Sequence, residues 1–148
     1  KEVVLFLEYT YSAYRVIPTD GSRHPTTVVP SFLGHSAGHW EGDTLVVDVT
    51  GFNGKTWLQS NAGGGADLKG GWMTSDALHE VERWRLLDAD TLEYQATIED
   101  PKVLTGPWTT PKYLLKRAPP DVIPHEALCL QPEDLTHIKA ATAPEQKN

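Results

Sequence analysis

The hydrophobic positions of this chain recur at every second residue over most of its length, the period of a β-strand. Val3, Leu5, Leu7 and Tyr9 fall on one side of the opening stretch, and Val4, Phe6 and Glu8 on the other. A second alternating stretch, SAYRVIPT, runs from Ser12 to Thr19 and stops at an Asp20-Gly21 turn. Ser22 to Pro30 carries Pro25 and Pro30 and reads as an extended surface connection, with His24-Pro25 as loop. Gly34 to Glu41 and Thr44 to Val49 form a predicted hairpin about Glu41-Gly42-Asp43, with Leu45, Val47 and Val49 on one face. The charges of SDALHEVERWRLL would suit a helix. The Asp88-Ala89-Asp90 turn and the clean strand TLEYQATIED after it favour a long hairpin instead, with Leu92, Tyr94, Ala96 and Ile98 inward. Gly106 to Arg117 is predicted as a last long strand, in which Pro107 and Pro111 mark an edge or bulges.

Two stretches break the alternation. Ser60 to Thr74 holds five glycines between Gly63 and Gly71 and reads as a long loop that Trp72 and Met73 dock back onto the body. From Ala118 the run APPDVIPHEALCLQPED reads as an extended tail, and Pro132 to Ala143 has the first-turn proline, early acids and apolar spacing of a helix. The expected fold is therefore all-β and mainly antiparallel, a meander forming a small barrel or sandwich with a C-terminal helix. Residues 1–117 form the antiparallel β domain, and 118–148 a Pro-rich tail with a helix packing on it or on a partner.

Composition narrows the function classes. The chain has 148 residues, enough for one domain with a real core. Thirteen Lys and Arg are scattered among twenty Asp and Glu, for a net charge of −7, so a basic nucleic-acid face is not expected. No apolar run approaches the ~20 residues of a membrane helix. The single cysteine, Cys129, allows neither an internal disulfide nor a cysteine-based metal site. The chain opens inside a strand pattern, which reads as processed or trimmed, so export of a longer precursor is the expected localisation, periplasmic or extracellular.

Three fragments, GHSAGHWEGDTLVVDVTGFNGKTWL, SDALHEVERW and DADTLEYQATIEDPKVLTGPW, resemble a family of small, uncharacterised, often exported bacterial proteins. The resemblance spans about Tyr14 to Trp108. It implies an exported β-rich domain and carries no mechanism with it. The glycine-rich stretch and the tail depart from the family pattern.

The chemistry-bearing residues fall into a few groups. His35 and His39 share a strand face but stand roughly 13 Å apart by strand rise, too far to chelate one metal unless Gly38 bulges, and no metal or other cofactor is expected. His79, Val81, Arg83 and Arg85 share one face of their strand, and Glu80, Glu82, Trp84 and Leu86 the other. A strand polar on both sides suggests a wet cavity or a charged pairing, such as Arg83 and Arg85 against Glu93 and Glu99. His79 with Glu82 or Asp76 has the residue types of an acid–base pair, with His35 as partner. Five tryptophans lie beside turns or strand ends, where aromatic rings often line a ligand mouth.

The leading expectation is a small-molecule-binding β domain for an apolar or aromatic ligand, its pocket formed by His35, His39, Trp40, Arg83, Trp84 and Tyr94. The first alternative is a metal-independent acid–base enzyme, a hydrolase, lyase or isomerase, using His79, Glu82 and Asp76. The second is a structural subunit that forms a homo-oligomer through its apolar N-terminal strand, because an uncovered edge strand invites pairing.

Overall fold

The computed structural model describes residues 1–7, 13–59 and 72–122. The expected C-terminal helix and the glycine-rich stretch at 60–71 lie outside the described residues. Ten strands follow in chain order: β1 Glu2–Leu7, β2 Ala13–Pro18, β3 His35–Glu41, β4 Thr44–Thr50, β5 Trp57–Gln59, β6 Trp72–Met73, β7 His79–Asp88, β8 Thr91–Glu99, β9 Trp108–Thr109 and β10 Tyr113–Lys116. All named pairings are antiparallel. The architecture is thus all-β, and no helix occurs among the described residues.

The main sheet has the order β10-β8-β7-β4-β3, with β9 also on β8. It is open, with β3 at one edge and β9 and β10 along the other, so no barrel closes among the described residues. Between the pairs Thr109↔Thr97 and Tyr113↔Tyr94 the last segment advances four residues while β8 advances three. That extra residue is a bulge, and Pro111, which has no N–H to give the ladder, falls inside it. Thr110 keeps the join paired: its N–H donates to the Ala96 carbonyl at 2.8 Å and its hydroxyl accepts from the Ala96 N–H at 3.0 Å. The segment with helix-like charges is β7, the central partner of β4 and β8, because tertiary pairing overrides its weak helical signal.

The registers set the two faces of the sheet. Val47 lies opposite Glu82 and Gly38, Leu45 opposite Trp84 and Trp40, and Glu82 opposite Ala96. The inner face therefore carries Leu45, Val47 and Val49 with Glu80, Glu82 and Trp84, and Tyr94, Ala96 and Ile98 beyond them. The β1–β2 hairpin packs over this face. Ile17 is fully buried with Leu45, Val47, Val49, Phe52, Leu78, Ala96 and Ile98, and Val3 and Leu5 pack against the cluster. A Cβ on Gly38 would stand 2.7 Å from the Pro18 carbonyl oxygen and 2.8 Å from Ile17 Cγ2, so glycine lets hairpin and sheet close together.

Candidate functional site

The period of two sends the remaining side chains outward. The outer face carries His35, Ala37, His39 and Glu41 from β3, then Thr44, Val46 and Asp48 from β4. Next come His79, Val81, Arg83 and Arg85 from β7, and Glu93, Gln95, Thr97 and Glu99 from β8. The connection between β2 and β3 folds down onto this face. Asp20 Oδ1 accepts from the Ser22 N–H at 3.0 Å to make the turn, and the Gly21 N–H donates to the Gly38 carbonyl at 3.1 Å. Farther along, Ser31 bonds both ways with the Gly51–Asn53 backbone, and Val28 lies against Gly51 where a Cβ would meet it at 2.4 Å. These anchors deliver His24 to the sheet.

His24 joins four elements into one chain of hydrogen bonds. Its Nε2 is 2.8 Å from Asp48 Oδ1, and its Nδ1 is 2.8 Å from His35 Nδ1. The other oxygen of Asp48, Oδ2, is 3.0 Å from His79 Nε2, and His79 Nδ1 lies 3.8 Å from Glu99 Oε2. The turn before His79 is pinned from below: Asp100, 2% exposed, accepts from the Ser75 N–H and hydroxyl at 2.7 and 2.6 Å. Ala37 and Val46 are buried beneath the imidazoles, which gives the layer an apolar floor.

Asp48 determines how the protons are arranged. An ionised carboxylate only accepts, so both His24 Nε2 and His79 Nε2 must carry hydrogen. With one hydrogen on each ring, His24 Nδ1 is bare and accepts from His35 Nδ1–H, and the same count leaves His35 Nε2 and His79 Nδ1 bare, the latter facing Glu99. Burial pushes the Asp48 carboxyl up, but the bonds from His79 and His24 outweigh it and hold it below the usual carboxylate range. Asp48, His79 and His24 side chains are 41, 34 and 22% exposed, so a small solute can reach them while they remain partly shielded from water.

The structure regroups the residues expected to form a site. His79 pairs with Asp48 and not with Glu82, which is on the opposite face of β7. Nor does it pair with Asp76, which is exposed and bonded to Lys102 Nζ at 2.5 Å. His35 joins the chain only through His24. His39 shares the face but turns to Glu41 at 3.3 Å, and regular pairing along β3 leaves no bulge at Gly38 to bring it back to His35. Arg83 pairs with Glu41, whereas Arg85 meets Glu93 at 3.7 Å as expected. Trp40, Trp84 and Tyr94, expected to share a pocket with the histidines, are on the inner face by parity, while His35, His39 and His79 are on the outer. Among the described residues no group of three or more His, Cys, Asp or Glu is arranged to hold a metal ion.

Glu82 has a structural partner. Its oxygens take both terminal nitrogens of Arg15, at 3.1 and 2.5 Å, and the Tyr94 hydroxyl donates to Oε1 at 3.3 Å. Trp84 packs against Tyr94 with the rings tilted by 38° and their centroids 4.1 Å apart. Burial, and then the charges of Glu82 and Glu80, push the Tyr94 phenol well above its ordinary range. Burial also raises the Glu80 carboxyl, with the Glu82 charge adding to it.

Three hollows flank these groups. One of about 420 Å³ lies over Gly38, His39 and Asp48 beneath the 21–24 turn, and one of about 520 Å³ adjoins His35 at the β3 edge. The largest, about 780 Å³, is on the far side of the sheet, between Leu58, Trp72, Leu104, Trp108 and Tyr113. His24 and Asp48 are the site residues that sequence reasoning missed, and Glu99 entered it only as a carboxylate, not as a neighbour of His79. Asp48 carried a signal, being a carboxylate inside an otherwise apolar strand where Asp is depleted. His24 carried none. The chain matches no protein-family model, no curated protein and no solved structure.

Proposed function

We propose that the outer face is an acid–base site acting on a small molecule, with Asp48 orienting the histidines and His35 Nε2 and His79 Nδ1 as the proton-handling atoms. The observation that carries this reading is the Asp48 carboxylate, engaged by two imidazoles from different elements at 2.8 and 3.0 Å. A carboxylate so bonded selects one tautomer on each ring and stabilises the imidazolium that forms when a ring takes a proton. A proton accepted at His35 Nε2 leaves a positive charge that His24 shares and Asp48 offsets. The chemistry supported is proton transfer, as in an isomerase, lyase or hydrolase, typically worth about 10²–10⁴-fold in rate from a positioned side chain.

The test has two parts. Long-range proton–nitrogen NMR should find hydrogen on Nε2 of His24 and His79 and on Nδ1 of His35. Asp48→Asn should scramble that pattern without unfolding the domain. Deuterium exchange from D2O into a panel of small carbonyl compounds should be catalysed by the wild type and lost in Asp48→Asn. Identical ring tautomers in the two proteins would count decisively against the proposal.

A second reading has its own support. The 780 Å³ cleft is of ligand size and places three half-exposed aromatic rings, Trp72, Trp108 and Tyr113, around one space. Binding of an apolar or aromatic molecule there predicts quenching of tryptophan fluorescence by 1-anilinonaphthalene-8-sulfonate, lost in Trp108→Ala. Equal quenching in the variant would remove this reading.

A further inference from the structure

We infer that the substrate of the outer face is a small monoanionic carboxylate, gripped by Arg23; this inference rests on the acid–base reading of the same face. The argument begins with where the positive charge goes. In a chain of net charge −7, cations are scarce and carboxylates plentiful. Of the five arginines, Arg15 is held by Glu82, Arg83 by Glu41, Arg85 by Glu93 and Arg117 by Asp90. Of the five arginines Arg23 alone, exposed on its loop, makes neither an ion pair nor a side-chain hydrogen bond among the described residues.

Its position gives that free guanidinium a use. Arg23 lines the 420 Å³ hollow together with His24, His39 and Asp48. Asp20, close in sequence, and Asp48, in the same hollow, are already engaged. Asp20 caps the Ser22 N–H, and the two oxygens of Asp48 face His24 and His79. Nothing in the hollow complements the planar fork of Arg23, which matches a carboxylate in two parallel hydrogen bonds. The hollow holds one unpaired cation beside one carboxylate whose charge is offset by two N–H donors. Asp48 keeps its charge and repels a phosphate dianion about twice as strongly as an anion of single charge, so the hollow favours the latter. Docked on Arg23, a small carboxylate places its remaining atoms over Ala37 and Gly38, alongside the His24–Asp48 pair that the acid–base reading uses.

The experiment titrates the full chain with pyruvate, acetate and inorganic phosphate and follows the imidazole signals and the Gly21 and Gly38 amides by NMR. The expected result is saturable binding of pyruvate and acetate, localised to those signals, with phosphate weaker. Arg23→Gln should weaken carboxylate binding at least about tenfold, and Arg23→Lys should weaken it less, keeping charge but losing the fork. Non-saturable shifts, saturable shifts elsewhere on the chain, phosphate binding tighter than the carboxylates, or unchanged affinity in Arg23→Gln would each overturn the inference. The two readings fail separately. Loss of tautomer control by Asp48 removes the acid–base chemistry and leaves Arg23-dependent binding standing. Arg23-independent binding removes the carboxylate assignment and leaves the tautomers untouched.

Discussion

Removing the Glu82 carboxylate should destabilise the fold severely, while replacing both it and Arg15 with apolar residues should not. The two side chains are only 4 and 13% exposed, and they meet through both guanidinium nitrogens. Glu82→Leu leaves the Arg15 guanidinium without its hydrogen-bonded carboxylate, beside Ile17 and the sheet, with only the buried Glu80 carboxyl nearby. Breaking a buried pair from one side costs about 3–5 kcal/mol, because the surviving charge stays desolvated. Loss of the Tyr94 hydrogen bond adds roughly 0.5–1.5 kcal/mol. Against a total stability of about 5–15 kcal/mol, that is a large share. With about 2–4 °C per kcal/mol for a domain of this size, Tm should fall by roughly 7–25 °C. Arg15→Met should cost a similar amount for the same reason. The double variant Arg15→Met with Glu82→Leu removes both charges and their desolvation together, and should return to wild-type stability or exceed it by about 1–4 kcal/mol. Urea unfolding followed by tryptophan fluorescence on all four proteins gives the coupling energy directly. Single variants costing under about 1 kcal/mol, or a double variant costing the sum of the singles, would refute the account of a buried, mutually dependent pair.

Gly38→Ala should cost about 1–3 kcal/mol in the same assay, because the new methyl collides with the Pro18 carbonyl and Ile17 and neither can yield without shifting the hairpin. Gly106→Ala, with nothing within 4 Å, is the control and should stay within about 0.5 kcal/mol of wild type. Glu80→Gln should stabilise the protein at neutral pH. Burial and the Glu82 charge raise the Glu80 carboxyl in the fold, so the stability it allows is fully present below the unfolded carboxyl pKa and lost as pH rises through the folded value. Denaturation at neutral and at acid pH should therefore show a gain that disappears in acid; a gain of equal size at both would contradict the cause given.

Much of the fold was legible because burial imposes strict alternation. TLVVDV and TLEYQATI carry their apolar residues at every second position, and both became central strands with those faces inward. The site was legible only in part. Alternation divides β7 into a His79 face and a Glu82 face, but it does not say which one the hairpin covers. That choice depends on registers over long separations, such as Val47 opposite Glu82 and Ile17 against Gly38. The pairing of Arg15 with Glu82 is 67 residues apart in sequence, and no local pattern announces it. His24 was invisible for a related reason: a loop residue is placed by its anchors, here Gly21 on Gly38 and Ser31 on Gly51.

The contrast between the two faces of β7 bears on what each is for. The inner pair is desolvated and mutually dependent, so its arrangement follows from the requirements of folding: a buried charge must be matched. The outer chain answers to no such requirement. Its members are between one-fifth and one-half exposed, and half-exposed pairs of this kind contribute about 0–1 kcal/mol each. Water would satisfy His24, His35, Asp48 and His79 individually. Stability therefore gives little reason to bring three imidazoles and a carboxylate from a loop and three strands into one line of hydrogen bonds. Proton transfer does give a reason, because it depends on tautomer and orientation, which that line controls, and it needs the solvent access that the inner pair lacks. Arg23 stands beside the same line, exposed and without a side-chain partner among the described residues, so a ligand that reaches the histidines meets a cation there as well.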